Sequence, residues 1–158
     1  MDAEALSIPA RTASVTRAAM RACLARGWAP VLEVPLPNGR RADILALRPD
    51  GGFAIIEVKS CARDFLADLK WPDYREFCDE LTFAVDLDFP QDLLPEECGL
   101  WVSDGYEATA LREPFLHRMH PARRKALLHR FAAVAAGRLA AATDPAGLME
   151  RRAALLSD

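Results

Sequence analysis

The sequence lacks the features that mark membrane, secreted and zinc-binding proteins. It has no apolar run long enough to span a membrane, and its N-terminus lacks the charged and then apolar layout of a signal peptide. Its 4 cysteines are widely spaced and include no CxxC pair. We therefore expect reduced thiols that mostly fill the core, rather than a zinc site, in a cytoplasmic protein.

Lysine is also scarce, since only 3 of the 20 basic residues are lysines. A lysine at position 59 therefore suggests that a compact, titratable ammonium is needed there. The net charge of -3 hides an uneven distribution: residues 1–60 carry +2, residues 61–110 carry -10 and residues 111–158 carry +5. Such runs are ordinarily solvated surface, and the functional alternative is that the cationic ends bind phosphates.

Hydrophobic periodicity and turn signals predict an α/β fold. The predicted order is α-β-β-β-α-β, with a hairpin and a C-terminal helical tail added, and the 158 residues suffice for one domain. The core would span about residues 12–112 and the tail about 115–156. The predicted elements are a helix at 14–26, strands in "PVLEVPL", "RADILAL", "FAIIEVK" and "LTFAVDL", a helical stretch at 62–80 interrupted near Pro72, and a hairpin from "GLWVS" to "YEATALR".

One apolar strand carries two charges on the same face. Glu57 and Lys59 are two residues apart in "FAIIEVK", and side chains on a strand alternate between faces. If residues 48–52 form a five-residue hairpin loop, Asp43 lies directly opposite Glu57, where two like charges destabilise the sheet. A bound divalent cation would explain the pair, and Lys59 could hold a water or neutralise a phosphate. The alternative is a simple ion pair of Lys59 at a sheet edge.

These residues carry a resemblance to a known group of proteins. Asp43 followed by Glu57-Val58-Lys59, in this order of elements, resembles the PD-(D/E)XK nuclease superfamily, although Arg41-Ala42-Asp43 lacks the superfamily's proline before the aspartate. The sequence is similar, more closely, to the MmcB-type DNA-repair proteins of bacteria. That similarity is carried by "GRRADILAL", "IIEVKS", "DFLADLKWPDYREFCD", "FAVD", "DFP", "LLPEE" and "PARRKALLHRF".

The resemblance implies a restriction-endonuclease-like core with a mixed central sheet flanked by helices, and a role in DNA repair. It implies that Asp43, Glu57 and the backbone carbonyl of Val58 bind a metal, and that Lys59 is catalytic. Many relatives have a further acidic residue on the first helix. Because no acidic residue lies between Ala5 and Leu32, Glu33 is the nearby upstream candidate here.

Related nucleases also place a polar residue and a tyrosine four positions apart on the next helix. Lys70 and Tyr74 have that spacing and would share one face of a continuous helix, but they could equally be packing positions. We expect Asp64 and Asp68 to lie on an exposed acidic helix. The two histidines of "HRMH" would make only a weak metal site. The candidate phosphate contacts are Arg40, Arg41, Arg63, Arg123, Arg124 and Lys125.

The sequence thus predicts a cytoplasmic, nucleoid-associated DNA-repair nuclease that uses Mg²⁺ or Mn²⁺. Its partners would be DNA, with other repair proteins as further candidates, and no membrane, and both a monomer and a homodimer fit the sequence. The alternatives are a catalytically inactive DNA-binding or partner-binding module on the same core, and an interaction protein whose acidic middle binds a basic partner.

Overall fold

The computed structural model describes residues 7–155; residues 1–6 and 156–158, which the predicted domain also includes, lie outside the described residues. Four α-helices, six strands and two short 3₁₀ helices follow one another along the described chain. They are α1 Ile8–Ala25, β1 Ala29–Pro35, β2 Arg41–Leu47, β3 Phe53–Lys59, α2 Ala62–Ala67, 3₁₀ Trp71–Phe77, β4 Glu80–Asp86, 3₁₀ Gln91–Leu93, β5 Gly99–Ser103, β6 Ala108–Arg112, α3 Pro121–Thr143 and α4 Pro145–Leu155.

The six strands form one mixed sheet in the order β1-β2-β3-β4-β5-β6. β1, β2 and β3 are antiparallel neighbours, β3, β4 and β5 are parallel neighbours, and β6 returns antiparallel to β5. The parallel pairs require crossover connections, which the segments between these strands supply. The predicted α/β class with a mixed sheet flanked by helices is confirmed.

Helix α1 covers one face of the sheet. Ser7 caps its N-terminus by accepting a hydrogen bond from the Ala10 N–H, and Gly27, with a φ of 71°, follows its end. The helix begins six residues before the predicted start at Ser14, because its first two turns lack the apolar periodicity on which that prediction rested. Its buried side chains pack against this face of the sheet in a cluster that includes Val15, Cys23, Ile44, Ile56 and Trp101.

The opposite face of the sheet is covered by the segment that follows β3. Phe65 of α2 and Trp71 of the first 3₁₀ helix both pack edge-on against Phe83 of β4, with ring centroids 5.5 and 6.4 Å apart. The predicted helical stretch at 62–80 breaks at Asp68 rather than at Pro72. Pro72 instead stands in the first turn of the 3₁₀ helix, where its missing N–H costs nothing.

The chain is not helical from Pro114 onward, which corrects the predicted tail. Residues 113–120 form no regular element, and helix begins only at Pro121. The chain divides into two compact units between His120 and Pro121, the second of which contains α3 and α4. Among the described residues, no helix is long and apolar enough to cross a membrane.

A buried aspartate holds the segment that precedes α3. Both carboxylate oxygens of Asp79 accept backbone hydrogen bonds, one from Phe53 at 2.7 Å and one from Met119 at 3.0 Å. The backbone of Asp79 also donates to Phe53 and accepts from His117. Asp79 therefore ties the start of β3 to the segment before α3.

We predict that Asp79→Ala lowers the free energy of unfolding by about 3 kcal/mol, because two buried N–H groups lose a charged acceptor. Urea unfolding followed by circular dichroism would measure it. Asp92→Ala, which removes an exposed aspartate of the second 3₁₀ helix, should change stability by less than about 0.5 kcal/mol. Equal stability of the two variants would show that Asp79 is not a structural anchor.

Candidate functional site

The hairpin between β2 and β3 sets the register of the candidate site. Residues 48–52 form the loop, closed by a 2.8 Å hydrogen bond from the Arg48 N–H to the Gly52 carbonyl. Leu47 then pairs with Phe53, and the register continues to Ile44 and Ile56. This is the register that the five-residue loop predicts. It places Asp43 directly across from Glu57, with both side chains on the face opposite α1.

Where the backbone hydrogen bonds between β2 and β3 end, the two carboxylates accept the next backbone N–H groups. Beyond the pair of Ile44 and Ile56, the Asp43 N–H donates to Glu57 Oε1 at 3.0 Å. In the other direction, the Val58 N–H donates to Asp43 Oδ2 at 2.8 Å. Each carboxylate thus satisfies a backbone donor of the neighbouring strand. Because the N–H and C=O of one extended residue point to the same side, the Val58 carbonyl also faces β2.

Burial and mutual repulsion favour protonation of this pair. Glu57 is only 3% exposed, and its pKa lies well above the ordinary value because of burial and then the charge of Asp43. Burial also raises the pKa of Asp43, against the lowering effects of the Val58 N–H and of Lys59. In the absence of a cation, these effects favour the protonated form of Glu57.

Lys59 lies beside the carboxylate pair but forms its ion pair elsewhere. Its charge lowers the pKa of both Asp43 and Glu57, while its Nζ lies 3.3 Å from Asp68 Oδ2. The prediction that Asp68 lies on an exposed acidic helix is wrong. Helix α2 ends at Ala67, so the chain turns at Asp68 and brings a partly buried carboxylate to the lysine. Asp64, one turn earlier, is exposed as expected.

Tyr74 joins the site, whereas Lys70 does not share its environment. The buried Tyr74 hydroxyl donates to the Arg41 carbonyl at 3.2 Å. Its pKa is raised by burial and then by the charges of Glu57 and Asp43, so the phenol lies near the pair. Lys70 is exposed and precedes the 3₁₀ helix that carries Tyr74. The predicted common face fails because the helix is not continuous.

Glu33 occupies a strained position at the edge of the site. Its φ of 49° is unusual for a residue other than glycine, and the ladder between β1 and β2 skips it between Leu32 and Val34. Its exposed carboxylate lies 3.7 Å from the Arg41 guanidinium. Among residues 7–155, no group of three or more His, Cys, Asp and Glu side chains could hold a metal ion. Glu33 is therefore not gathered with Asp43 and Glu57 into one ligand set.

The other candidates occupy separate places. Arg40 forms an ion pair with Asp73 at 3.0 Å, and Arg63 is exposed on α2. His117 Nε2 lies 2.9 Å from the Arg75 carbonyl, so this ring nitrogen already has a hydrogen-bond partner. The remaining basic candidates lie on α3, in the second unit: Arg123, Arg124 and Lys125.

The raised pKa of Glu57 predicts a pH dependence of stability. A carboxyl group whose pKa is higher in the folded protein stabilises the fold below its ordinary pKa, and this contribution is lost as pH rises through the raised pKa. The melting temperature of metal-free protein should therefore fall as pH rises above the ordinary pKa range of glutamate, and this fall should be smaller in Glu57→Gln.

Differential scanning fluorimetry across this pH range, in the presence of chelator, provides the measurement. Glu80 also has a raised pKa, so the difference between wild type and Glu57→Gln is the quantity to compare. Glu96→Gln, at an exposed position, is the matched control and should follow wild type. Parallel profiles for wild type and Glu57→Gln would contradict a proton held at Glu57.

Comparison with known proteins shows which family the chain belongs to. The sequence profile of the DNA repair protein MmcB-like family matches residues 3–146. A solved structure of a protein of unknown function from Silicibacter pomeroyi is 42% identical, with a TM-score of 0.81, and the match covers 93% of this chain and 97% of that one. No curated protein matches significantly. The chain belongs to the MmcB-like family of DNA repair proteins.

Proposed function

We propose that this protein is a metal-dependent nuclease that hydrolyses phosphodiester bonds of DNA during repair. Membership of the MmcB-like family indicates the repair role. The observation that supports the chemistry is the buried pair of Asp43 and Glu57, opposed across two strands, with Lys59 beside it. Such a pair destabilises the fold when no cation or proton is bound. A function in metal binding would explain why the fold keeps both carboxylates despite this loss of stability.

The donor set suits Mg²⁺ or Mn²⁺. Mg²⁺ is a hard cation that is commonly bound by one or two carboxylates, with waters and substrate phosphates completing its coordination. Asp43 and Glu57 would supply the carboxylates, and the Val58 carbonyl, which faces β2, would be a further ligand. When bound, such a metal polarises a phosphate and lowers the pKa of a bound water. Because a metal binds the ionised carboxylate and the pKa of Glu57 is raised, we expect stronger binding at higher pH.

The remaining side chains have roles that follow from their positions. Lys59, released from Asp68, would donate hydrogen bonds from Nζ to a phosphate oxygen and offset its growing negative charge. Tyr74 would act as a positioning residue, because its hydroxyl holds the start of β2 through the Arg41 carbonyl. Arg40 and Arg41, at the same end of β2, would contact the neighbouring DNA phosphates.

A binding module without catalysis is the second candidate, and one observation favours it. Lys59 is paired with Asp68, and each carboxylate of the pair already satisfies a backbone N–H, so these charges also have a structural use. Under this hypothesis the protein binds DNA through arginines without cutting it. DNA binding that weakens steeply with salt, with no cleavage in Mg²⁺ or Mn²⁺, would support the module.

Metal should stabilise the wild-type protein. A cation that binds only the folded state contributes about 2.7 kcal/mol at a hundredfold excess over its dissociation constant. Melting should therefore shift upward with millimolar Mg²⁺ or Mn²⁺ in wild type and should not shift in Asp43→Ala. Asp64→Ala, which removes an exposed aspartate of α2, should respond like wild type. An identical response of Asp43→Ala and wild type would remove Asp43 from the metal site.

The nuclease hypothesis is tested most directly at Lys59. Arginine keeps the charge, but its guanidinium is too broad to occupy the position of an ammonium. Lys59→Arg should therefore slow metal-dependent cleavage by roughly 100-fold or more, while melting and the metal response persist. Lys70→Arg, on an exposed lysine, is the matched control and should cut at the wild-type rate.

Cleavage should be measured on single-stranded, nicked, branched and duplex DNA, with metal and with chelator. Full activity of Lys59→Arg would remove the lysine from the mechanism. A wild-type protein that binds these DNAs but cuts none of them would reject the nuclease in favour of the binding module.

A further inference from the structure

A second candidate site lies at the same edge of the sheet. A cavity of about 290 Å³ lies at the carboxyl ends of β4 and β5, against the first turns of α1. Parallel strands of open α/β sheets characteristically bind ligands outside their carboxyl ends. Its size is near the lower limit of ligand pockets, which suits a single small planar group rather than a large cofactor.

The cavity lies at the same edge of the sheet as the candidate catalytic residues, but on the face that α1 covers. The Thr12 hydroxyl, next to the cavity-lining Arg11, donates to Ser60 Oγ at 2.9 Å, and Ser60 directly follows Lys59. Strands lie about 4.8 Å apart, so the end of β5 is about 10 Å from the end of β3. This separation is about three times the 3.4 Å rise of a stacked nucleotide.

The lining of the cavity disfavours phosphate and favours a neutral group with N–H donors. The lining contains one guanidinium and three carboxylates, which give a formal charge of -2 from Arg11, Asp86, Asp88 and Asp104. Arg11 is already committed, because its Nε lies 2.8 Å and its terminal nitrogen 2.6 Å from Asp86 Oδ2. Val15 and Leu87 add apolar surface for the faces of a ring. A nucleobase with an exocyclic amino group has this combination of properties.

The rim of the cavity offers contacts for the rest of a DNA strand. Tyr106 follows the lining residue Gly105 and is 64% exposed. Its ring is held by Arg21, whose guanidinium carbon lies 4.3 Å from the ring centroid and whose Nη1 donates to the Tyr106 carbonyl at 2.8 Å. Arg17 is exposed one turn earlier on α1. A fixed exposed aromatic ring beside arginines is typical of surfaces that bind single-stranded nucleic acid.

We propose that this cavity binds one unpaired nucleobase of the DNA whose backbone lies at Asp43 and Glu57. The protein would then prefer single-stranded DNA, or duplexes with an unpaired nucleotide, over intact duplex. The carboxylates would accept hydrogen bonds from the base, while the neighbouring phosphates would lie outside the cavity beside Arg17 and Arg21. The inference rests on the proposed DNA function of the first site and adds the class of DNA to it.

The test compares two exposed leucines. Leu87, 68% exposed, lines the cavity, whereas Leu24, 62% exposed, lies in the last turns of α1, at the far end of the helix from the cavity. Fluorescence anisotropy in chelator would give the affinities for labelled single-stranded and duplex oligonucleotides. Leu87→Ala should weaken single-stranded binding by roughly tenfold, because the apolar area that Leu87 would bury against the base is lost, and leave duplex binding unchanged. Leu24→Ala should change neither affinity.

The fluorescence of 2-aminopurine placed at successive positions of the oligonucleotide would locate the bound base. We expect a change at one or two adjacent positions in wild type, and its loss in Leu87→Ala. Equal affinities of wild type and Leu87→Ala for the single strand, or equal losses on single strand and duplex, would overturn the proposal. A cavity that instead binds a labelled oligolysine peptide, with single-stranded binding unaffected by Leu87→Ala, would belong to a basic protein partner.

These measurements do not depend on cleavage, so the two proposals fail separately. A preference for single strands that Leu87→Ala abolishes, in a protein that cuts no DNA, would support the base subsite and reject the nuclease. Metal-dependent cleavage with equal affinity for single-stranded and duplex DNA would support the nuclease and reject the subsite.

Discussion

The opposition of Asp43 and Glu57 across two antiparallel strands is the constraint on which the candidate site depends. At this point the backbone ladder of β2 and β3 ends, and each carboxylate accepts the N–H that the other strand presents. Burial disfavours two adjacent negative charges, which raises the pKa of both carboxyl groups. The same hydrogen bonds that join the strands therefore hold two carboxyl groups side by side, where we propose that a metal binds.

The surrounding groups balance that pair in different ways. Lys59 lies close enough to lower the pKa of both carboxyl groups, and it also forms an ion pair with Asp68. Tyr74 fixes the start of β2 from the other side of the site. If a DNA phosphate replaced Asp68 in this ion pair, Lys59 would contact the substrate directly. The same ion pair would also serve a purely structural network of charges.

The carboxyl ends of the parallel strands β3, β4 and β5 lie at one edge of the sheet, and both candidate sites lie at that edge. The carboxylate pair lies near the start of β2 and the end of β3, on the face opposite α1, and the cavity lies at the ends of β4 and β5, on the face that α1 covers. The hydrogen bond between Thr12 and Ser60 joins the two regions through α1. A nucleic acid strand that follows this edge would meet first a place for its backbone and then a place for a base, on one rigid sheet.

The sequence alone determined the register of the candidate site. Alternation along "RADILAL" and "FAIIEVK", with a five-residue loop between them, is local information that places Asp43 opposite Glu57. The tertiary structure decided which distant groups reach that pair. Asp68 reaches Lys59 because α2 ends at Ala67, and Tyr74 is buried because the next turn is a 3₁₀ helix. Asp79 holds the segment before α3 through hydrogen bonds to the backbone of residues 117 and 119. The cavity was equally invisible in the sequence, because its walls come from α1, β4 and β5, which only the packed sheet brings together.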